Sequence, residues 1–356
     1  MTPKHDLSPS NPPSETTSDE LTKPNTGLYD SEFWAVSRHE LIADVAEQLL
    51  KPGTAEKIRE VLKPLEDQGF PTSLPDLAGW ADYTKHRGSQ EGDDEDTKVF
   101  LDDPINNRRD KWHYVNLPLN AENYSRELYP TLTYKKDVVQ ITKQAISVLK
   151  GDSDRFSQIN ALRLLVHMVG DLHQPIHVGC GYIDHSVAVA KLVFDPETIV
   201  QNALEHDRGG NDLLLPVGNN GVSLHEYWDG RLGGSHPDIS GFEGDEAIVS
   251  SELKKEFSDK LLRMIQEDSQ LMSADATAEA FDDSSPEDWI EKWTNESLAA
   301  AREAYKSLAI SSPNGEKFNV TWEGKQAYDA RCKPIALDRM KSSARNLALL
   351  LDAICL

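Results

Sequence analysis

Five histidines and three aspartates of this chain have types and spacings suited to binding metal ions. They are His39, Asp82, His113, His167, Asp171, His177, His225 and Asp229. The string His167-x3-Asp171 places both side chains on one face of a helix, and His225-x3-Asp229 repeats this spacing. Imidazole nitrogens and carboxylate oxygens are ligands that Zn²⁺ takes in proteins. Together the two pairs predict a zinc centre, with the other residues of the set as further candidate ligands.

The string from His167 to His177 carries the strongest signal. His167 and Asp171 follow an otherwise apolar segment, residues 161–166, that predicts a buried helix. A carboxylate buried on such a helix requires a cation or several hydrogen-bond donors. Pro175 ends the predicted helix, which allows His177 to fold back towards the same centre. A lone histidine on this helix would be an ordinary core residue, and the aspartate one turn later favours metal binding.

Single members of the set also allow structural interpretations. His113 fits a half-buried strand residue, and Asp82 fits an acidic residue on the surface of a short helix. His225 and Asp229 fit the polar face of a solvated helix. His173 lies only two residues after Asp171, so we expect its side chain to point away from the metal ligands.

Helical spacing of apolar residues predominates from Trp34 onward, and strand-like runs are few. The pattern predicts a helix over residues 54–63 that ends before Pro64. It also predicts a long helix over residues 328–354 that kinks or restarts at Pro334. We therefore expect a mainly α fold with few short strands, formed by one multi-helix domain over residues 34–356.

Composition limits the classes of function. The chain has 356 residues, of which 38% are hydrophobic, as expected for a globular protein. It contains no apolar run of about 18 residues, so no membrane span is predicted. A formal net charge of −23 argues against sequence-specific or stable binding of duplex DNA, which relies on Lys and Arg. Divalent cations in a cleft can still reverse the local field and admit a phosphate substrate.

The N-terminal segment and the cysteines are less informative. Residues 1–33 are rich in polar residues and proline, which predicts a disordered tail, and they lack the pattern of a signal peptide. Three cysteines are too few for a disulfide scaffold. Cys332 and Cys355 could pair in an oxidising compartment, and isolated buried thiols are an equally good interpretation.

The motifs, in this order, resemble those of the zinc-dependent single-strand nucleases of the S1/P1 type, a family related to the bacterial zinc phospholipases C. The resemblance is carried by Trp34-x4-His39, Trp80-Ala-Asp82, Trp112-His113, His167-x3-Asp171-x5-His177, Gly209-Gly-Asn211 and His225-x2-Trp-Asp229. It implies a mostly helical fold around a trinuclear zinc cluster. It also implies cleavage of single-stranded RNA and DNA to 5′-phosphate products, and removal of 3′-phosphates from nucleotides.

The resemblance further implies a role for each residue. One zinc would be held by Asp82, His113 and His167, a second by Trp34, His39 and Asp171, and a third by His177, His225 and Asp229. Asp171 would also bridge the first two ions at the catalytic centre. Lys85 and Asn116 would assist catalysis, and Asn211 would contact the substrate.

Three positions depart from the family pattern. In the family the tryptophan is the mature N-terminus and binds zinc through its free amine and its carbonyl, whereas Trp34 follows 33 residues. An interior amide nitrogen is a poor zinc ligand, so either the residues before Trp34 are removed or this zinc site is altered. Asn116 replaces an aspartate and can orient water without acting as a base. Lys85 replaces an arginine, which keeps the charge and loses the bidentate fork.

Two alternatives to a nuclease remain open at the level of sequence. A phosphodiesterase of the same fold that acts on phospholipid head groups would need an exposed apolar rim. A non-catalytic zinc-binding protein is suggested only by the altered Trp34 site and by Asn116. The sequence does not specify base preference, oligomeric state or localisation, although family members are usually secreted or periplasmic.

Overall fold

A computed structural model of the protein describes residues 36–232, 251–268 and 285–354. The predicted tail, Trp34 and Cys355 lie outside these ranges. The longer helices are α1 (Val36–Leu49), α2 (Pro52–Asp67), α6 (Val138–Leu149), α7 (Gln158–His173), α11 (Ser251–Glu267), α12 (Pro286–Tyr305) and α13 (Lys325–Ala353). The shorter ones are α3 (Leu74–Ala78), α4 (Trp80–Thr84), α5 (Glu95–Asp102), α8 (Pro175–Val178), α9 (Pro196–Gln201) and α10 (Leu224–Glu226).

The strands are short and form small sheets. β1 (Leu117–Pro118) pairs in parallel with β2 (Gly179–Cys180). A second sheet has the order β4 (Lys191–Val193), β3 (Tyr182–Asp184), β5 (Glu205–His206), and a third the order β7 (Val222–Ser223), β6 (Leu213–Leu215), β9 (Lys317–Thr321), β8 (Ala309–Asn314). The prediction of a mainly α fold with few short strands is confirmed.

Helix α7 lies at the centre of the hydrophobic core. It begins where the Ser157 side chain accepts a hydrogen bond from the backbone N–H of Asn160. Every residue from Ile159 to His173 is buried, because α7 packs against α1, α3, α4, α6, α12 and α13. Polar side chains on this helix are therefore removed from water whichever way they point, and they require partners inside the protein.

Two prolines lie inside helices that were predicted to end or restart there. Helix α2 continues past Pro64, and α13 runs through Pro334. A proline inside a helix costs about 3 kcal/mol through a lost hydrogen bond and a steric clash. Leu65 after the first proline, and Ala336 and Leu337 after the second, are buried in the core. Tertiary burial of the following turn therefore outweighs the local preference, and the predicted end before Pro64 is wrong.

Two further sequence expectations concern the membrane and the thiols. None of the helices described above combines the length and the apolar character needed to cross a bilayer. Cys180 and Cys332 are buried free thiols. The proposed pairing with Cys355 involves a residue outside the described ranges.

Candidate metal centre

All the histidines and aspartates predicted as ligands come together in three groups. The other predicted ligand, Trp34, lies outside the described residues. The first group is Asp82, His113 and His167, the second is His39, His167 and Asp171, and the third is His177, His225 and Asp229. Within each group the candidate ligand atoms lie within 4.8 Å of one another. The structure therefore gathers into one region residues that span almost two hundred positions of the sequence.

Asp171 lies between these groups. Its Oδ1 atom is 3.5 Å from His39 Nε2 and 3.0 Å from His177 Nδ1. Its Oδ2 atom is 3.0 Å from His113 Nδ1 and 3.1 Å from His167 Nε2. The side chain is only 1% exposed. One buried carboxylate thus joins the first two groups and contacts the third, which is the arrangement a bridging ligand requires.

A glycine of helix α7 makes room for the second group. The rings of His39 and His167 are stacked with their centroids 3.9 Å apart and their planes at 12°. This stacking brings His39 over Gly170, where an added Cβ atom would lie 2.4 Å from His39 Nδ1. Sequence reasoning overlooked Gly170. A glycine inside an apolar helix, directly before a candidate ligand, is the signal that could have found it.

Backbone carbonyls orient three of the imidazoles. His167 Nδ1 lies 2.6 Å from the Ala78 carbonyl, His177 Nδ1 3.1 Å from the His113 carbonyl, and His225 Nδ1 2.9 Å from the Gly209 carbonyl. Because a carbonyl oxygen can only accept, each Nδ1 is the protonated nitrogen that donates. In the neutral tautomer Nε2 then carries the lone pair, and this is how protein histidines are commonly prepared for metal binding.

The Gly209-Gly210-Asn211 turn supports the ring of His225. Gly209 and Gly210 have φ values of +60° and +82°, and a Cβ on Gly209 would lie 2.7 Å from a backbone oxygen. The buried Asp207 carboxylate accepts the N–H of Gly210 at 3.0 Å and fixes the turn. Asn211 Nδ2 donates to the Arg208 carbonyl at 3.0 Å, so the amide closes its own turn.

The third group is positioned by residues on both sides of Asp229. His225 Nε2 is 3.1 Å from Asp229 Oδ2, and Gln174 Nε2 donates to Asp229 Oδ1 at 2.7 Å. His225 lies in the short helix α10, which passes directly into a π-helical turn, Tyr227–Arg231, that contains Asp229. Trp228 is fully buried and donates to the Tyr328 hydroxyl at 2.9 Å, which holds this turn against α13.

Several buried polar atoms of the site find no hydrogen-bond partner among the described residues. They are both ring nitrogens of His39, Nε2 of His177, Oδ2 of Asp82 and Oδ2 of Asp229. Buried polar atoms in native proteins are almost always satisfied, so such a concentration requires an explanation. Cations coordinated by nitrogen and oxygen atoms would supply it, and the donor set fits zinc.

The pKa values of the ionisable groups in the site also favour a centre that binds cations. Burial raises the pKa of Asp171, but His167 and His177 outweigh burial and hold this pKa well below its usual value. Burial lowers the pKa of His177, but Asp171 and Asp229 outweigh it and raise the pKa to about 10. Burial lowers the pKa of His39 to about 4. A proton on His177 therefore offsets part of the carboxylate charge, and bound metal cations would take its place.

The remaining predicted residues surround the groups. Lys85 is 8% exposed and its Nζ donates to Asp82 Oδ1 at 3.1 Å, while burial lowers its pKa. Asn116 is half-buried directly before β1, and its carbonyl accepts from the Tyr182 hydroxyl at 2.8 Å. His173 points away from the groups, as predicted, because its ring bonds to the Val169 carbonyl and to the Asn346 amide.

The alternative structural interpretations of His113 and Asp82 do not hold. His113 is buried and follows a 3₁₀ turn, Arg109–Lys111, so it lies outside the strands. The Asp82 side chain is only 6% exposed, so it is not a surface acid.

The backbone N–H of Val115 donates to the His177 carbonyl at 2.8 Å, and β1 then pairs with β2. This pairing carries the segments after His113 and His177 away from the site side by side.

Comparison with known proteins gives a match along nearly the whole chain. A sequence model of the S1/P1 nuclease family matches residues 34–355. Endonuclease 1 of Arabidopsis thaliana is 24% identical over 338 residues, which cover 90% of this chain and 87% of the relative. Endonuclease 2 of the same plant is 24% identical over 242 residues, covering 65% of this chain and 67% of the relative. The family match includes every motif from Trp34 to Asp229.

Proposed function

Because this chain belongs to the S1/P1 nuclease family, it is a hydrolase that acts on phosphodiester bonds, and we propose that it is a zinc-dependent endonuclease of single-stranded RNA and DNA. We further infer that it leaves 5′-phosphates and removes 3′-phosphates from nucleotides. The observation that carries the proposal is the buried Asp171 carboxylate, which lies within 3.5 Å of four imidazoles. The endonuclease names of the relatives favour nucleic acid over phospholipid as the substrate.

Three zinc ions are assigned to the three groups. In this proposal the first group binds one ion, the second group binds another together with Trp34, and the third group binds the last. The oriented Nε2 lone pairs and the unpartnered buried atoms support this assignment. When bound, zinc supplies Lewis-acid activation of water and of a phosphoryl oxygen near neutral pH.

Side chains of the protein would complete the reaction. Lys85, held beside Asp82, would balance the negative charge of a phosphate that enters the site. Asn116 would orient the attacking water through its amide, because an amide cannot accept its proton. Asn211 would contact the substrate from the turn that supports His225, and Asp171 would hold the first two metal ions at a fixed separation.

The depth of the site supports the proposed preference for single strands. The side chains of His39, His167 and Asp171 are each about 1% exposed, so a reacting phosphate must enter below the surface. A flexible single strand can bend one phosphate into such a recess, whereas a rigid duplex holds its phosphates on a regular cylinder. The net charge of −23 further weakens binding of a long polyanionic duplex.

The decisive experiment compares metal content with turnover on matched substrates. The purified full-length chain is analysed for zinc and assayed on single-stranded DNA, single-stranded RNA, a duplex of the same sequence, nucleoside 3′- and 5′-monophosphates and phosphatidylcholine. We expect zinc to be present, single strands and 3′-monophosphates to be cleaved, and new ends to carry 5′-phosphates. A strong chelator should abolish turnover, and added zinc should restore it. Equal cleavage of the paired duplex, or turnover that resists chelation, would contradict the proposal.

The catalytic domain is proposed to span residues 34–356, in agreement with the range of the family match. Trp34, as an interior residue, would offer zinc its carbonyl oxygen in place of a terminal amine. On this basis the second group is the weakest of the three zinc sites, and removal of residues 1–33 is the change that would strengthen it.

A further inference from the structure

Arg38 joins the beginning of the described chain to the third group. Its side chain is 3% exposed, and its guanidinium donates to two carbonyls, Trp228 at 2.7 Å and Gly230 at 2.8 Å. These two carbonyls stand on either side of Asp229. Arg38 also directly precedes His39, a member of the second group. One guanidinium therefore connects residues 190 or more positions apart in sequence, each next to a candidate ligand.

The segment that Arg38 holds has an uncommon backbone geometry. Asp229 lies in the π-helical turn Tyr227–Arg231, closed by a hydrogen bond of 2.9 Å from Leu232 N–H to the Tyr227 carbonyl. A π turn is wider than an α turn and is uncommon outside functional sites. Two charge-assisted hydrogen bonds to carbonyls on both sides of one residue fix the position and tilt of its peptide units. Gln174 then needs to orient only the carboxylate itself.

We propose that Arg38 is a positioning residue that holds Asp229 in place to bind metal at the third group. This inference rests on the proposed function, since it assumes that the three groups bind zinc. Arg38 donates to the backbone on both sides of Asp229, so it acts through the geometry of the third group. Loss of a residue that orients a metal ligand typically lowers metal affinity or activity by about 10- to 100-fold.

The test replaces Arg38 and, as a control, an arginine with the same type of hydrogen bonds in the full-length chain. Arg38→Gln removes both bonds, and Arg38→Lys keeps the charge on a side chain that can reach one carbonyl. Arg302→Gln is the control, because Arg302 also donates to carbonyls two residues apart, Leu119 at 2.7 Å and Ala121 at 2.8 Å, which flank no candidate ligand. Zinc content and affinity are measured by titration against a competing chelator, and folding by circular dichroism.

We expect Arg38→Gln to bind two zinc ions like the wild type and the third about 10- to 100-fold more weakly. The affinity of Arg38→Lys for the third ion should lie between those of the wild type and Arg38→Gln. Arg302→Gln should keep the wild-type affinity for all three ions. Turnover of Arg38→Gln should recover as free zinc is raised, which an effect on folding alone would not produce. If Arg38→Gln does not fold, the zinc affinity of Arg38→Lys tests the role of Arg38 instead.

A double variant identifies which site is affected. His225→Ala removes a candidate ligand of the third group, so adding Arg38→Gln should weaken zinc binding no further. Additional weakening of the two remaining ions, or three unchanged affinities in Arg38→Gln, would overturn the role assigned to Arg38. Absence of zinc from the wild type would instead overturn the proposed function, so the two failures are distinguishable.

Discussion

Gly170 of α7 lies directly against the imidazole of His39, so closely that a Cβ atom at position 170 would be 2.4 Å from Nδ1. The contact joins the central helix to α1 at the point where the His39 and His167 rings stack. A residue without a side chain is thus part of the candidate metal centre. Its importance comes from the space that it leaves open.

Gly170→Ala should therefore damage the metal centre while improving the local preference for helix. Alanine is favoured over glycine inside a helix by about 0.5–1 kcal/mol. The new methyl group must displace the His39 ring, so we expect the affinity for one zinc ion and the turnover to fall about 10- to 100-fold. Zinc titration and nuclease assays measure both. Gly53→Ala is the matched control, because a Cβ there meets no atom within 4 Å; an equal loss in both variants would contradict this account.

Asp171→Asn tests the central carboxylate with almost no change in volume. The substitution removes the negative charge that holds the imidazoles together and places N–H donors where cations are proposed to bind. We expect loss of at least one zinc ion and a fall in turnover of more than about 100-fold, with helical content retained. Metal analysis and circular dichroism on the same sample separate these effects. Full zinc content with full turnover would show that Asp171 is not a bridging ligand.

Asp137 allows a test of pH dependence away from the metal centre. Burial raises the pKa of its carboxyl to about 7, although hydrogen bonds from Gln140 and Tyr124 oppose the shift. The unfolded value is about 3.9, so the folded pKa is the higher one. The stability that this group contributes is therefore fully present below about pH 4 and is lost as the pH rises through about 7.

Asp137→Asn should remove this dependence and keep the N-cap of α6, because asparagine is an equally good capping residue. Between about pH 5 and pH 8 the wild type should lose about 3 kcal/mol more in free energy of unfolding than the variant. Urea unfolding at both pH values, with zinc in excess, measures the difference. If the two proteins show the same change with pH, the Asp137 carboxyl is already ionised at about pH 5.

The residues before Trp34 should influence the second group. A chain that begins at Trp34 presents a free amine, which binds zinc far better than an interior amide nitrogen. We expect it to bind the zinc of the second group more tightly than the 356-residue chain does, and to turn over single strands faster. Zinc titration of both proteins, with folding matched by circular dichroism, provides the comparison. Equal affinity for all three ions would mean that another ligand has taken the place of the amine.

The helical class and most of the candidate ligands could be predicted from the sequence, because both depend on local periodicity. His167 and Asp171 share a face wherever their helix packs, and the apolar residues before them require that helix to be buried. Each histidine or aspartate motif is also a short string, and the order of these strings along the chain indicates the family. These features depend on residues only a few positions apart, and the sequence shows them directly.

The contacts between helices that are distant in sequence became visible in the folded protein alone. The helices that continue through Pro64 and Pro334 do so because the following turns are buried, which no local preference reveals. The fit of His39 over Gly170, and the reach of Arg38 to the carbonyls around Asp229, join segments more than a hundred residues apart. Such contacts arise from the packing of whole helices against α7, so the positions of single side chains follow from the complete fold.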